Sequence, residues 1–131
     1  MNSYAWIAVG GGAAVGAWLR WGLSLVLNPV FPSVPLGTVT SNLVAGFLMG
    51  IAMELMARYT AIPPELKLLM TTGFLGGLST FSTFSGEVVT LLAYREYVWS
   101  AILIGIHVIG SVALTVLGIA TVRLILSAGT T

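Results

Sequence analysis

The chain has 131 residues, 57% of them hydrophobic and 7% charged, with a net charge of +1 and no cysteine. A mean hydropathy of +1.03 excludes a water-facing surface over most of this length. The absence of Cys excludes disulfides, thiolate metal sites and cysteine nucleophiles, and the near-neutral charge leaves no basic stripe for nucleic acid.

A helix needs about 20 apolar residues to cross a hydrocarbon core of about 30 Å, so this length has room for four spans joined by short loops. Span one is expected from about Tyr4 to Leu27. It lacks a basic n-region and a small-residue cleavage pattern, and it is longer than a signal-peptide core, so it reads as a span. Asn28-Pro29 ends it, and Pro32 and Pro35 keep the next segment from being helical. Trp18, Arg20 and Trp21 are expected near that end, where rings and a snorkelling guanidinium suit the headgroup zone. Span two runs from about Leu36 to Met56, and Pro63-Pro64 sets a new helix start near Glu65.

Span three, about Leu66 to Tyr94, carries Gly73, Gly76 and Gly77 followed by Ser79, Thr80, Ser82, Thr83 and Ser85. Each glycine lowers helix propensity by about 1 kcal/mol, and closely spaced hydroxyls offer the backbone other partners. The expectation is a break near the middle flanked by two half-helices, which lipid tolerates only where it is buried in protein or lines a polar cavity. Span four runs from about Val98 to Leu126. The fold class is therefore an all-α membrane protein with four transmembrane helices, the third broken, in a single domain.

Charge sidedness is nearly balanced. Arg58, Lys67 and Arg123 fall on one side of such a bundle, and Arg20 and Arg95 on the other. Orientation is set largely by the Lys/Arg difference between short loops, so the chain has little to choose its direction by. Insertion in both directions and pairing with an inverted copy follows as a hypothesis, with one fixed orientation set during insertion as the alternative; under the hypothesis, added lysines on one side would lock orientation and abolish activity.

Several polar positions remain after the spans are drawn. Thr38, Asn42, Gly46 and Gly50 follow one another at intervals of four and share a helix face. Gly46–Gly50 and Gly12–Gly16 are small-residue pairs of the kind that lets backbones approach closely. A carboxamide at membrane depth needs partners, and Asn42 points either into a polar path or across a dimer interface. Within 76–85, Phe81 and Phe84 share a face and the hydroxyls lie on neighbouring ones. Two ring edges carry positive charge density suited to a small, hard anion held with moderate affinity, although a pair at this spacing is more often a packing device than a filter. Unwound carbonyls at the break suit either a cation such as Na⁺ or a water-filled knot, which spacing alone does not tell apart. His107, Ser111 and Thr115 share a face, reading either as a hydroxyl track or as side chains bonding back to their own helix. His107 is a proton carrier or a partnered interior residue. Glu54 precedes Arg58 at the spacing of an ion pair, and Glu87 reads as a vestibule residue or as part of a relay whose second carboxylate is missing.

The runs Gly76-Gly77-Leu78-Ser79-Thr80-Phe81-Ser82-Thr83-Phe84-Ser85, Gly37-Thr38 to Asn42-Leu43, Gly16-Ala17-Trp18-Leu19-Arg20-Trp21 and Val108-Ile109-Gly110-Ser111 closely resemble the Fluc (CrcB) family of bacterial fluoride channels. The resemblance covers essentially the whole chain. It implies an antiparallel dual-topology homodimer in the inner membrane with two pores, exporting passively the fluoride that enters cells as HF. By the same resemblance, Phe81 and Phe84 match the stacked phenylalanines and Asn42 the pore asparagine. Ser82, Thr83, Ser111 and Thr115 match the polar track, and Arg20 resembles the vestibule arginine. A structural Na⁺ would be held by the backbone carbonyls of Gly76 and Ser79, the latter standing where some members have Thr. Three other classes fit less well. A small proton-coupled multidrug exporter needs a carboxylate in its first span, and span one has none. A non-conducting assembly subunit would use the polar positions only for packing. An enzyme is not expected, because no Ser-His-Asp or metal-ligand constellation falls on neighbouring spans.

Overall fold

The computed structural model describes residues 3–129, which form helices and turns with no strand among them. Helix α1 spans Ser3–Leu27 and gives way at Pro29 to the short 3₁₀ turn Asn28–Val30. Helix α2 spans Leu36–Arg58, two residues beyond its expected end. Its first turn follows Pro35, whose side chain cannot accept a hydrogen bond, and Asn28 supplies the missing acceptor by taking the Gly37 N–H on its Oδ1 at 2.7 Å. Helix α3, residues 64–78, starts at Pro64, where the missing N–H costs nothing. It widens into an i→i+5 coil over Leu69–Leu75 and closes with the turn Gly76–Leu78. Ser79 and Thr80 are extended, and helix α4, Phe81–Ala93, resumes with the Thr80 hydroxyl accepting the Thr83 N–H. Helix α5, Tyr97–Ala128, runs 32 residues with a second wide turn at Ile106–Gly110.

The break expected in span three is there, but it lies after the glycines. Gly76 and Gly77 sit in the helical turn Gly76–Leu78, and the chain opens at Ser79 and Thr80. The glycines serve close approach instead. A Cβ on Gly77 would strike the backbone of Ala13, and one on Gly16 would come within 2.7 Å of the Leu78 nitrogen, so α1 and α3 touch backbone to backbone. A second seam of the same kind joins α2 to α5, where Gly50 and Gly118 each lie against the other helix's main chain. The packing reading of both small-residue pairs thus holds.

Two modest apolar clusters fill the interior, Val34, Val39, Phe84, Val88 and Leu103 at one level and Ala45, Leu75 and Leu78 at another. Large apolar side chains cover the outside, among them Trp6, Trp18, Trp21, Ile109, Val116 and Leu124, each more than 60% exposed. Such a surface is at home in lipid or against another apolar surface, not in water. Helices α2 and α5 are long and apolar enough to cross a membrane by length and composition alone. At one end of this pair the Glu54 carboxylate accepts from Arg58 Nε at 2.8 Å and from Arg123 Nε at 3.1 Å. The ion pair expected from spacing therefore recruits a second arginine and ties the end of α2 to that of α5.

Candidate functional site

The break in the third span is held by a single side chain from α2. Thr80 donates its N–H to Asn42 Oδ1 at 2.7 Å, and Asn42 Nδ2 donates to the Thr80 carbonyl at 2.9 Å. The carboxamide thus replaces both helical bonds of one residue and makes an extended residue tolerable at membrane depth. Its remaining N–H points at His107 Nδ1, 2.9 Å away on α5. Asn42 bridges three spans, an arrangement wider than either role open to it in the sequence.

The diverted backbone bonds have a further consequence. The N–H of Thr80, the normal helical donor to the Gly76 carbonyl, goes to Asn42, and the N–H of Thr83, the normal donor to the Ser79 carbonyl, goes to the Thr80 hydroxyl. Gly76 and Ser79 are therefore carbonyls deprived of their i+4 donors. The Gly77 carbonyl would have taken the N–H of Phe81, beyond the break. It accepts instead from Arg20 Nε at 3.0 Å. Half-buried Arg20 thus reaches the orphaned carbonyl through Nε, while Trp18 and Trp21 beside it stay exposed.

Between α2, the break and α5 lies an open cleft of about 410 Å³. Asn42, Gly46 and Met49 line it from α2, Ser79, Thr80, Phe81 and Phe84 from the break and the start of α4, and His107, Ser111 and Thr115 from α5. The two rings meet edge to face, centroids 5.4 Å apart at 70°. Phe84 is buried and its ring lies 4.4 Å from the imidazole of His107, whereas Phe81 is 76% exposed. Thr115 Oγ1 donates, shared between the carbonyls of Gly46 and Ser111 at 2.9 Å each. Both readings of that hydroxyl hold together: it bonds back to its own helix, and it also lines the cleft.

Ser82 and Thr83 are not on this cleft. Both are exposed; Ser82 Oγ lies 3.4 Å from the Thr80 hydroxyl, and Thr83 faces a second cavity, also about 410 Å³, lined by Pro32, Ser33, Pro35, Gly86, Glu87 and Thr90. There Thr38 donates to one oxygen of Glu87, and the other oxygen is buried with no partner among the described residues. Thr38 and Asn42, one turn apart on α2, therefore serve different cavities, Asn42 by lining the cleft and buried Thr38 by holding Glu87 of the second. The sequence reading did not single out Thr80, although a Thr directly before the helical run Phe81–Ala93 is an N-cap signal.

A bundle with one discontinuous span, whose break opens on a cleft of hydroxyls and aromatic rings, defines an all-helical membrane protein with a built polar site. Residues 7–119 match the family described as CrcB-like protein, Camphor Resistance (CrcB). The chain is 52% identical over 123 residues to the fluoride-specific ion channel FluC of Nitrosospira multiformis, covering 94% of this chain and 96% of that one. It is 50% identical to the protein of the same name from Ralstonia pickettii, with 94% and 98% covered, and 49% identical to that of Tolumonas auensis, with 93% and 96% covered. The chain belongs to the CrcB family.

Proposed function

We propose that this protein is a fluoride-selective ion channel of the bacterial inner membrane, working as an antiparallel homodimer that lets fluoride leave the cytoplasm passively. Its family is one of ion channels, not enzymes. The observation that carries the reading is the cleft, where the edge-to-face pair Phe81–Phe84 stands across from the Ser111–Thr115 hydroxyls with no charged residue among the lining groups. Ring edges and the Ser111 hydroxyl stabilise a small anion that has shed part of its water, and the lack of a fixed positive charge keeps the ion from being trapped. Near-balanced Lys/Arg sidedness and the breadth of exposed apolar surface support the inverted pair.

A structural Na⁺ at the centre of that dimer is part of the proposal. The residues fit it: the carbonyls of Gly76 and Ser79 lack their helical donors, and hard carbonyl oxygens suit a monovalent hard cation. When bound, the ion would supply positive charge near the break, at the edge of the cleft that Ser79 lines. Arg20, hydrogen-bonded to the neighbouring Gly77 carbonyl, adds a second positive charge near the break and serves as the vestibule arginine. Ser82 and Thr83 belong in this reading to the stretch of pathway leading toward the second cavity.

The test is fluoride efflux from liposomes loaded with the purified protein, with potential clamped by a potassium ionophore. Flux that follows voltage, excludes chloride and needs no proton gradient is the expected result. No fluoride flux, or flux strictly coupled to protons, removes the proposal.

A further inference from the structure

Two arginines share one buried acid near the joined ends of α2 and α5. Glu54 is 8% exposed, and its carboxylate is divided between them, Oε1 accepting from Arg58 Nε at 2.8 Å and Oε2 from Arg123 Nε at 3.1 Å. Arg58 lies one turn further along the same helix, whereas Arg123 reaches across from α5, so one carboxylate holds guanidiniums of two helices side by side. Both stay open outward, with 42% of the Arg58 side chain and 64% of the Arg123 side chain exposed. Each meets Glu54 through Nε, and among the described residues no other group takes the Nη donors of either.

The charges in this trio do not balance. One carboxylate faces two cations, which leaves a positive charge over and sets the guanidiniums close enough to repel each other. Water would screen that repulsion, but the lower dielectric at the edge of a bilayer strengthens it and favours a second anion against the Nη groups. Position in the fold identifies the source of that anion. The 23 residues of α2 extend about 35 Å, against a hydrocarbon thickness of about 30 Å, so its last residue, Arg58, falls in the layer of lipid phosphates. Met53 beside Glu54, Tyr59 beside Arg58, and Leu124 and Ile125 following Arg123 are each more than half exposed, an apolar border on which acyl chains can lie.

We infer that this trio is a binding site for the phosphate of an anionic phospholipid. Arg58 and Arg123 hold the phosphate oxygens through their Nη atoms, and Glu54 is the positioning residue that fixes both guanidiniums beforehand. Bound there, the lipid braces the end of the α2–α5 seam beyond Gly50 and Gly118. The site depends on the membrane setting of the bundle and not on which ion the cleft passes.

Native mass spectrometry of the full-length protein in detergent, with phosphatidylglycerol, phosphatidylcholine or inorganic phosphate added, reads occupancy, and the melting temperature of the same samples reads its effect. Phosphatidylglycerol should stay bound and raise the melting temperature, with phosphatidylcholine much weaker and inorganic phosphate without effect. R123Q leaves Glu54 paired with Arg58 and should weaken phosphatidylglycerol binding about tenfold or more, whereas K67Q, which removes a cation outside the trio, should bind as wild type does. R123K keeps the charge without the planar fork and should fall between R123Q and wild type. Each shift is read against the same variant without lipid, so a lower starting stability of R123Q does not obscure it. Undiminished phosphatidylglycerol binding by R123Q, equal losses in K67Q and R123Q, or equal occupancy by the two lipids overturns the inference. Inorganic phosphate at millimolar concentration giving the phosphatidylglycerol shift overturns the lipid as its source.

Discussion

Replacing Asn42 with leucine tests the claim that one carboxamide holds the broken span together. Leucine matches asparagine in shape but deprives the Thr80 N–H, the Thr80 carbonyl and His107 Nδ1 of their partners at once. Each half-buried group left unpaired costs about 1–3 kcal/mol, and water entering the open cleft offsets part of this, leaving roughly 3 kcal/mol. The cost is local, so the sharpest readout is amide hydrogen exchange at Thr80 in detergent. A loss of about 3 kcal/mol of protection corresponds to exchange roughly 100-fold faster, with smaller changes along the α2–α5 seam. A lower melting temperature and loss of fluoride efflux should accompany it. If the Thr80 amide in N42L exchanges at the wild-type rate, the carboxamide does not carry the break.

The two phenylalanines should separate on substitution with isoleucine. Phe84 is buried against Val88 and Leu103, so F84I should cost about 1–3 kcal/mol in detergent unfolding as well as flux, while F81I, at an exposed ring, should reduce flux with little change in melting temperature. Thr115→Val removes the hydroxyl shared between Gly46 and Ser111 and should cost about 1 kcal/mol, with T115S close to wild type in the same unfolding assay. Arg95 has φ of 60° and closes α4 with the N–H of Glu96 on Leu91 and its own N–H on Leu92, a Schellman end that favours glycine. R95G should therefore raise stability by up to about 1 kcal/mol, seen as a higher melting temperature. Gly50→Leu, which pushes a side chain into the Thr115 backbone, should abolish the folded fraction on size-exclusion chromatography.

Much of the architecture is local and was legible from the chain. Hydropathy marked the spans, Pro29, Pro35 and Pro64 marked their junctions, and the hydroxyl-rich run after Gly77 marked a discontinuity, because each signal acts over a few residues. The spacing of Glu54 and Arg58 predicted their pair, but nothing local connects Glu54 to Arg123. The site divides in the same way. Helical periodicity placed Phe81 near Phe84 and Ser111 near Thr115, yet it could not show that Ser82 and Thr83 leave the main cleft or that Arg20 reaches the Gly77 carbonyl.

What the sequence by itself determined is the apolar, helical character of this protein, the existence of a break, and its likeness to the CrcB family. Only the tertiary structure decided where the break falls and what satisfies it. Matching a backbone donor to an acceptor depends on groups that meet across the bundle, Asn42 with Thr80 at a separation of 38 residues and Asn42 with His107 at 65. Composition and periodicity carry no information about such a meeting. Once the helices are packed, those contacts dictate the partner that faces His107 Nδ1, the direction of Arg20 and the carbonyls left open at Gly76 and Ser79.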